Sequence, residues 1–151
     1  MDMTTKFTLA LRRHIKDKGI RLDRGGGSRR TQSIIRLSSA DTRQPLLVLW
    51  AKYSTRRLGS QGYFWGLNQN QLQSLNNQSY PWWLVLLFGT REGIYLATKG
   101  QANGHIDRRE WSCQTLRPEY KIHEKDIKGE FQRCDKFSDV FQALRLSASP
   151  C

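Results

Sequence analysis

A chain of 151 residues has the length of one ordinary domain, and its 38% of hydrophobic residues is sufficient for a core. This composition excludes a chain that stays unfolded for lack of apolar residues. The longest apolar run, Trp82–Phe88, is far shorter than the roughly 20 residues of a membrane helix, and the N-terminus shows no signal-peptide core. We therefore expect one cytoplasmic domain over residues 1–151 that does not enter membranes.

The net charge of +12 is unevenly distributed along the chain. Residues 1–91 contain 15 Lys and Arg and four acids, for a net charge of +11. Residues 92–151 contain 10 Lys and Arg and nine acids, for a net charge of +1. A surface of one sign attracts polyanions, and each phosphate it neutralises releases counterions. The charge pattern predicts nucleic acid as the partner of residues 1–91. Anionic membrane fits less well, because the basic residues do not follow one amphipathic face.

The first predicted element is a helix over residues 4–18, where apolar residues recur at helical spacing and Gly19 can end the helix. Arg12 and Arg13 fall mostly off its apolar face. The next segment, residues 21–30, is rich in Gly and Arg and predicts a flexible loop. It is either a plain linker or a mobile arm whose arginines lie along phosphates.

The rest of the chain predicts mainly strands, and the fold class is α/β (α+β) with a central mixed sheet. Two strands, 33–37 and 46–52, form a hairpin, and the apolar run Trp82–Phe88 is the centre of the sheet. Residues 99–118 are expected to be a loop. The other predicted elements are a strand at 62–67, a short helix at 69–75, a strand at Ile94–Thr98, an edge strand at 120–123 and a C-terminal helix at Phe137–Leu144.

The order of elements over residues 4–98 and the apolar run 46–54, which contains Trp50-Ala51-Lys52, resemble one known family. They are similar to the αβββαβ core and the Asp/Glu-x-Lys motif of the PD-(D/E)xK restriction-endonuclease-like nucleases. The resemblance implies a Mg²⁺-dependent endonuclease that hydrolyses phosphodiesters. In that family two carboxylates hold Mg²⁺ and the lysine supports the charged transition state.

Only the lysine of this motif is matched, by Lys52. Trp50 stands where the family has a carboxylate, and a hard cation requires oxygen ligands. Asp41 is the only acid close in sequence, so it is the candidate metal ligand and catalytic partner, although Asp is also expected in a turn at that position. Lys52 is thus a catalytic lysine with displaced acids, a phosphate-binding lysine in a fold that has lost cleavage, or a surface lysine of an unrelated fold.

The sequence therefore predicts a nucleic-acid-binding protein that favours DNA over RNA, is either an active or a degenerate nuclease, and uses Mg²⁺ only if it cleaves. A non-enzymatic RNA- or ribosome-binding module is the main alternative, a toxin or partner-binding protein is a third, and homo-oligomerisation is left open. The residues predicted to bind nucleic acid are Arg12, Arg13, Arg24, Arg29, Arg30, Lys52, Arg56 and Arg57.

Three further sets of residues have local patterns. The strand aromatics are expected mainly in the core, with Tyr53 and Trp65 as candidates for stacking on bases. The acids of residues 119–135 could supply metal ligands, but they lie among lysines and an arginine and predict a solvated face of mixed charge. These acids are Glu119, Glu124, Asp126, Glu130 and Asp135. The three Cys and three His have no zinc-ligand spacing.

Overall fold

The computed structural model describes residues 2–25, 32–54, 59, 62–89, 91–114 and 119–146, which form a mixed α+β fold. This confirms the predicted fold class. The helices are α1 (Met3–Ile15), α2 (Gln69–Asn77), α3 (Lys99–Asp107), α4 (Glu124–Ile127) and α5 (Phe137–Leu144). The strands are β1 (Ile20–Gly25), β2 (Gln32–Ser39), β3 (Pro45–Ser54), β4 (Phe64–Asn68), β5 (Trp82–Phe88), β6 (Ile94–Thr98), β7 (Ser112–Gln114), β8 (Glu119–His123) and β9 (Gln132–Cys134).

The main sheet has six strands in the order β1-β2-β3-β5-β6-β9, and a separate sheet has three in the order β4-β8-β7. In the main sheet β3 and β5 are parallel, and every other neighbouring pair is antiparallel. We call the end of this sheet at which β3 and β5 terminate, at Ser54 and Phe88, its carboxyl end, and the other its amino end. By the strand registers, β1 ends and β2 begins at the carboxyl end.

Both faces of the main sheet are covered, which is why β3 and β5 are continuous apolar runs. Side chains alternate along β3, so that Leu49 and Ala51 join a core that also contains α1 and α5. Val48 and Trp50 face the opposite way, into a second core that contains α2, α3 and the small sheet. Among the described residues, no helix is long and apolar enough to cross a membrane.

The strongest apolar patterns of the sequence gave correct elements. The hairpin β2–β3, the interior strand β5 and the amphipathic helix α5 are confirmed. The third predicted strand exists as β4 but belongs to the small sheet, and the predicted edge strand at 120–123 lies in β8, the middle strand of that sheet.

Several sequence predictions are wrong. Residues 20–25 form edge strand β1, because Ile20 and Leu22 alternate with charged residues and pack on the α1 core. Residues 99–118, expected to be a loop, contain α3 and β7. Helix α3 was obscured by two glycines and a weak apolar face, although the capping box formed by Thr98 and Gln101 marks its start. The short α4 and β9 were also missed.

Candidate nucleic-acid interface

Lys52 lies near the carboxyl end of β3, the strand that is parallel to β5. Its neighbours in the sheet are Gln32 on β2 and Leu86 on β5, and alternation places its side chain on the Trp50 face. Only 7% of its surface is exposed, so it is not an exposed lysine at a strand end. In open α/β sheets ligands bind outside the carboxyl ends of parallel strands, and Lys52 lies on β3 two residues before that end.

The residue two positions before Lys52 belongs to the core. Trp50 is completely buried, and its ring packs edge-on against Trp82 with centroids 6.2 Å apart. The indole offers no oxygen to a hard cation. The strand that precedes β3 supplies Ser33, but its hydroxyl accepts a hydrogen bond from Arg24 at 2.9 Å. The residues at this position therefore do not fit Mg²⁺, the metal that the family resemblance implies.

Asp41, the predicted metal ligand and catalytic partner, lies at the other end of β3. It is exposed in the turn between β2 and β3, beyond Pro45. Lys52 lies seven positions after Pro45, which corresponds to roughly 23 Å along a strand. The structure therefore does not bring Asp41 and Lys52 together. The next acids along the chain are no better placed, because Asp17 follows α1 near the amino end and Asp23 pairs with Arg21 at 3.5 Å.

Arg24 is held in a fixed position near the carboxyl end of the sheet. It lies on β1, and its guanidinium donates hydrogen bonds to the hydroxyls of Ser33 at 2.9 Å and of Thr4 and Thr5 at 3.1 Å each. Thr4 and Ser33 are buried, so they fix the guanidinium from below. All three acceptors are neutral, and Asp2 contacts the threonines instead of the arginine. The guanidinium is thereby oriented, and the nearby Asp2 carboxylate, which interacts electrostatically with it, balances part of its charge. An oriented guanidinium suits a phosphate contact.

Four other predicted contact residues, Arg29, Arg30, Arg56 and Arg57, lie outside the described residues. The described residues to which these segments are joined are Gly25, Gln32 and Ser54. Residues 26–31 connect Gly25 to Gln32, and residues 55–58 follow Ser54, so both segments join the main sheet at its carboxyl end. The β5–β6 turn adds Arg91, which the sequence analysis did not select and whose guanidinium lies 5.0 Å from the ring centre of Phe88.

Arg12 and Arg13 do not belong to this group. Both are exposed in the last turn of α1, which begins beside Arg24 and runs toward the amino end of the sheet. Arg13 lines a cavity of about 480 Å³ between α1 and α5, together with Lys6 and Lys136. The structure therefore separates Arg12 and Arg13 from Arg24 and Lys52, the two described binding residues near the carboxyl end.

The aromatic residues near the carboxyl end are mostly packed inside. Trp65 is 1% exposed and donates its indole N–H to the carbonyl of Leu87 at 2.9 Å, so it cannot stack on a base. Tyr53 is half-buried against the α1 core. The sequence thus identified Trp65 correctly as a strand aromatic, but alternation alone did not show that the small sheet packs it against β5 and β6 of the main sheet.

One carboxylate of the expected mixed-charge face is part of this packing. Glu124 accepts a hydrogen bond from the hydroxyl of Tyr95 at 2.7 Å and another from the backbone N–H of Tyr63 at 3.2 Å. Burial, together with the hydrogen bond to Glu124, raises the pKa of Tyr95 to about 12. The expectation that residues 119–135 form a purely solvated face is therefore wrong for Glu124.

No family model, no curated protein and no solved structure matches this chain. The function has to be argued from the chain's own residues. The carboxyl end of the main sheet is the place where a buried lysine, an oriented arginine and the attachment points of two basic segments occur together.

Proposed function

We propose that this protein binds nucleic acid, with duplex DNA preferred over RNA, through the carboxyl end of its main sheet. The observation that supports this most directly is the distribution of charge at that end. Residues 24–31 and 52–57 each contain three basic residues and no acid, and the described residues beside both segments lie at the carboxyl end. Six cations of one sign over one region favour a polyanion as ligand.

The contacts in this proposal are with phosphates. Arg24 presents an oriented guanidinium that is suited to phosphate oxygens, and Lys52 contributes a charge at the end of β3. Helices α1 and α5 both begin at the carboxyl end, as the contacts of Thr5 with Arg24 and of the Phe137 N–H with Glu92 indicate. Each N-terminus is capped by a carboxylate, Asp2 on α1 and Glu92 on α5, which offsets the positive end of the helix dipole. Phosphate contacts set affinity and position and carry no sequence information, so the proposed binding is largely non-specific.

The proposal does not include metal-dependent cleavage. Strand β4 lies between β3 and α2 in the chain but belongs to the small sheet. With β4 set aside, the order α1, β1, β2, β3, α2, β5 matches the αβββαβ arrangement that the nuclease resemblance implies, which supports a related fold for the proposed binder. Trp50 and the distant Asp41, however, do not supply the carboxylates that would hold Mg²⁺ in such a nuclease. The proposed role of Lys52 is phosphate binding in a nuclease-like fold that does not cut.

The direct test is a binding titration with three probes of equal length: duplex DNA, duplex RNA and single-stranded DNA, each followed by fluorescence anisotropy. We expect duplex DNA to bind with a Kd of roughly 10⁻⁴ to 10⁻⁶ M at physiological salt and to weaken steeply as salt rises. A titration that is flat with salt would contradict the phosphate interface. Tighter binding to structured RNA than to DNA would instead favour the RNA-binding alternative.

The same protein should be incubated with supercoiled plasmid and either Mg²⁺ or Mn²⁺. We expect no nicking, because the carboxylates required for the metal do not converge on Lys52. Metal-dependent nicking that is lost in both Lys52→Ala and Asp41→Asn would restore the nuclease interpretation, and nicking that both variants retain would indicate a contaminant.

A further inference from the structure

A second group of polar residues lies away from the nucleic-acid interface, around His105 on α3. The imidazole is 1% exposed and stacks on Trp111, with ring centres 4.8 Å apart and planes inclined by 4°. Phe131 packs against it edge-on at 5.4 Å. The two aromatic rings fix the plane of the imidazole, so both of its nitrogens have defined surroundings.

Two carboxylates approach those nitrogens. Glu110 Oε2 lies 2.9 Å from Nδ1, and Glu130 Oε2 lies 2.6 Å from Nε2. The glutamate side chains remain 38% and 54% exposed, so the group is open to solvent on the carboxylate side. A neutral imidazole has one N–H and one lone pair, and a lone pair that faces a carboxylate is repelled by it. The arrangement therefore calls for either a further proton, on the ring or on one carboxyl group, or a metal ion, and the guanidinium of Arg108 already pairs with Glu110.

The geometry distinguishes these two cations. Carboxylate oxygens in line with both N–H groups of an imidazolium would lie about 6–7 Å apart, on opposite sides of the ring. Here neither ring nitrogen makes a hydrogen bond of normal geometry with a described residue. One ligand atom from each of His105, Glu110 and Glu130 can instead be chosen so that all three lie within 4.8 Å of one another. The carboxylates thus converge, as ligands of a common ion do.

We propose that His105, Glu110 and Glu130 form a binding site for a divalent transition-metal ion. One ring nitrogen and the two carboxylates are the protein ligands, and solvent occupies the remaining positions. Ligand atoms around a four-coordinate ion stand roughly 3–3.5 Å apart, since the bonds are about 2.0–2.2 Å long. Small rotations of the two exposed glutamates bring the three groups to that spacing.

The ligand types select the class of metal. Imidazole nitrogen with carboxylate oxygen suits Zn²⁺ and its first-row neighbours, whereas Mg²⁺ prefers an all-oxygen shell and retains its water. The ion would join α3, the segment before β7 and the turn before β9, which are separated by up to 25 residues between His105 and Glu130. Binding energy at such a site adds to the stability of the fold. The site is independent of the proposed nucleic-acid function.

The test uses the full chain, stripped of metal with EDTA and titrated with ZnCl₂ by calorimetry in a buffer that contains Mg²⁺. We expect one Zn²⁺ per chain and a higher Tm with Zn²⁺ than without. Because both glutamates are partly exposed, E110Q and E130Q should fold, and each should bind Zn²⁺ at least about tenfold more weakly. Co²⁺ should quench the fluorescence of Trp111, so W111F should lose most of the Co²⁺-induced quenching.

Two matched controls separate this site from adventitious binding. Asp126→Asn removes an exposed carboxylate of α4 that is not part of the group, and Cys113→Ser removes an exposed thiol. Both variants should bind Zn²⁺ as the wild type does. Absence of Zn²⁺ binding by the wild type would overturn the proposal. Binding that survives E110Q and E130Q but is lost in Cys113→Ser would overturn it as well.

Discussion

The carboxyl end of the main sheet and the His105 group each contain one buried basic side chain, but their surroundings have opposite charge. Lys52, 7% exposed, pairs in the sheet with Gln32 and Leu86, near segments that carry arginines and no acids. His105, 1% exposed, has a carboxylate beside each ring nitrogen. The first environment is suited to an anion and the second to a cation. A metal-dependent nuclease needs cationic side chains and carboxylates at one place, whereas here Lys52 lies on β3 and the two carboxylates beside His105 lie before β7 and before β9.

The largest expected effect concerns the position where a nuclease would carry a carboxylate. Trp50→Ala should lower the free energy of unfolding by about 3–5 kcal/mol, because it removes a completely buried indole and leaves a cavity. Urea denaturation measures this, with Trp83→Ala, a half-buried position on the neighbouring strand, as the milder control. A loss of unfolding free energy below about 1 kcal/mol would show that the core does not depend on the indole. Packing would then not explain why Trp50 stands where a nuclease has a carboxylate.

The second largest expected effect is on DNA affinity, and it concerns the arginines of the two segments that join the main sheet at its carboxyl end. Changing Arg29, Arg30, Arg56 and Arg57 to Ala together should weaken binding to duplex DNA by about a hundredfold or more and reduce the slope of log Kd against log salt by about 3–4. The matched control changes four exposed cations of the amino end, Lys16, Lys18, Arg21 and Arg43, to Ala. Equal losses in the two variants would mean that total charge, and not the carboxyl end, determines binding.

A smaller effect, on stability, is expected at Tyr95. This residue pairs in the sheet with Leu86, which in turn pairs with Lys52. Tyr95→Phe should cost about 1.5–3 kcal/mol at neutral pH, because the Glu124 carboxylate loses its hydroxyl donor. Urea denaturation of the two proteins measures this cost, and a loss below about 0.5 kcal/mol would show that solvent replaces the hydroxyl.

The Tyr95 hydroxyl also makes the stability of the fold depend on pH. The pKa of Tyr95 is raised to about 12 in the folded protein, so the unfolded chain loses this proton first as pH rises above about 10. The contribution of Tyr95 to stability is therefore complete below pH 10 and declines between about pH 10 and 12. The difference between wild type and Tyr95→Phe should narrow over that range. A difference that stays constant would show that Tyr95 ionises as an ordinary tyrosine does.

The smallest effect is expected at Lys52. Lys52→Met keeps the volume of the side chain and removes its charge, so DNA affinity should fall by about 1 kcal/mol, or roughly fivefold, while the fold is retained. Asp41→Asn, at the far end of β3, should leave DNA affinity nearly unchanged. A large loss in Asp41→Asn would mean that the amino end also contacts the DNA.

By itself, the sequence determined the elements whose patterns are local. The runs in β3 and β5, the spacing in α5 and the hairpin of β2 with β3 could all be recognised, because alternation and helical period are properties of neighbouring residues. The excess charge of residues 1–91 was equally visible. Edge strand β1 and helix α3 were missed, since charged residues in one and glycines in the other weaken the local signal.

Only the tertiary structure decided which distant residues meet. Strand register places Asp41 at the opposite end of β3 from Lys52, and packing of the second core buries Trp50 and Trp65. The approach of Glu130 to His105 and of Ser33 to Arg24 follows from the way elements pack and pair, and no spacing in the chain indicates it. Periodicity reports the face on which a side chain lies, whereas the neighbours on that face depend on long-range contacts between elements.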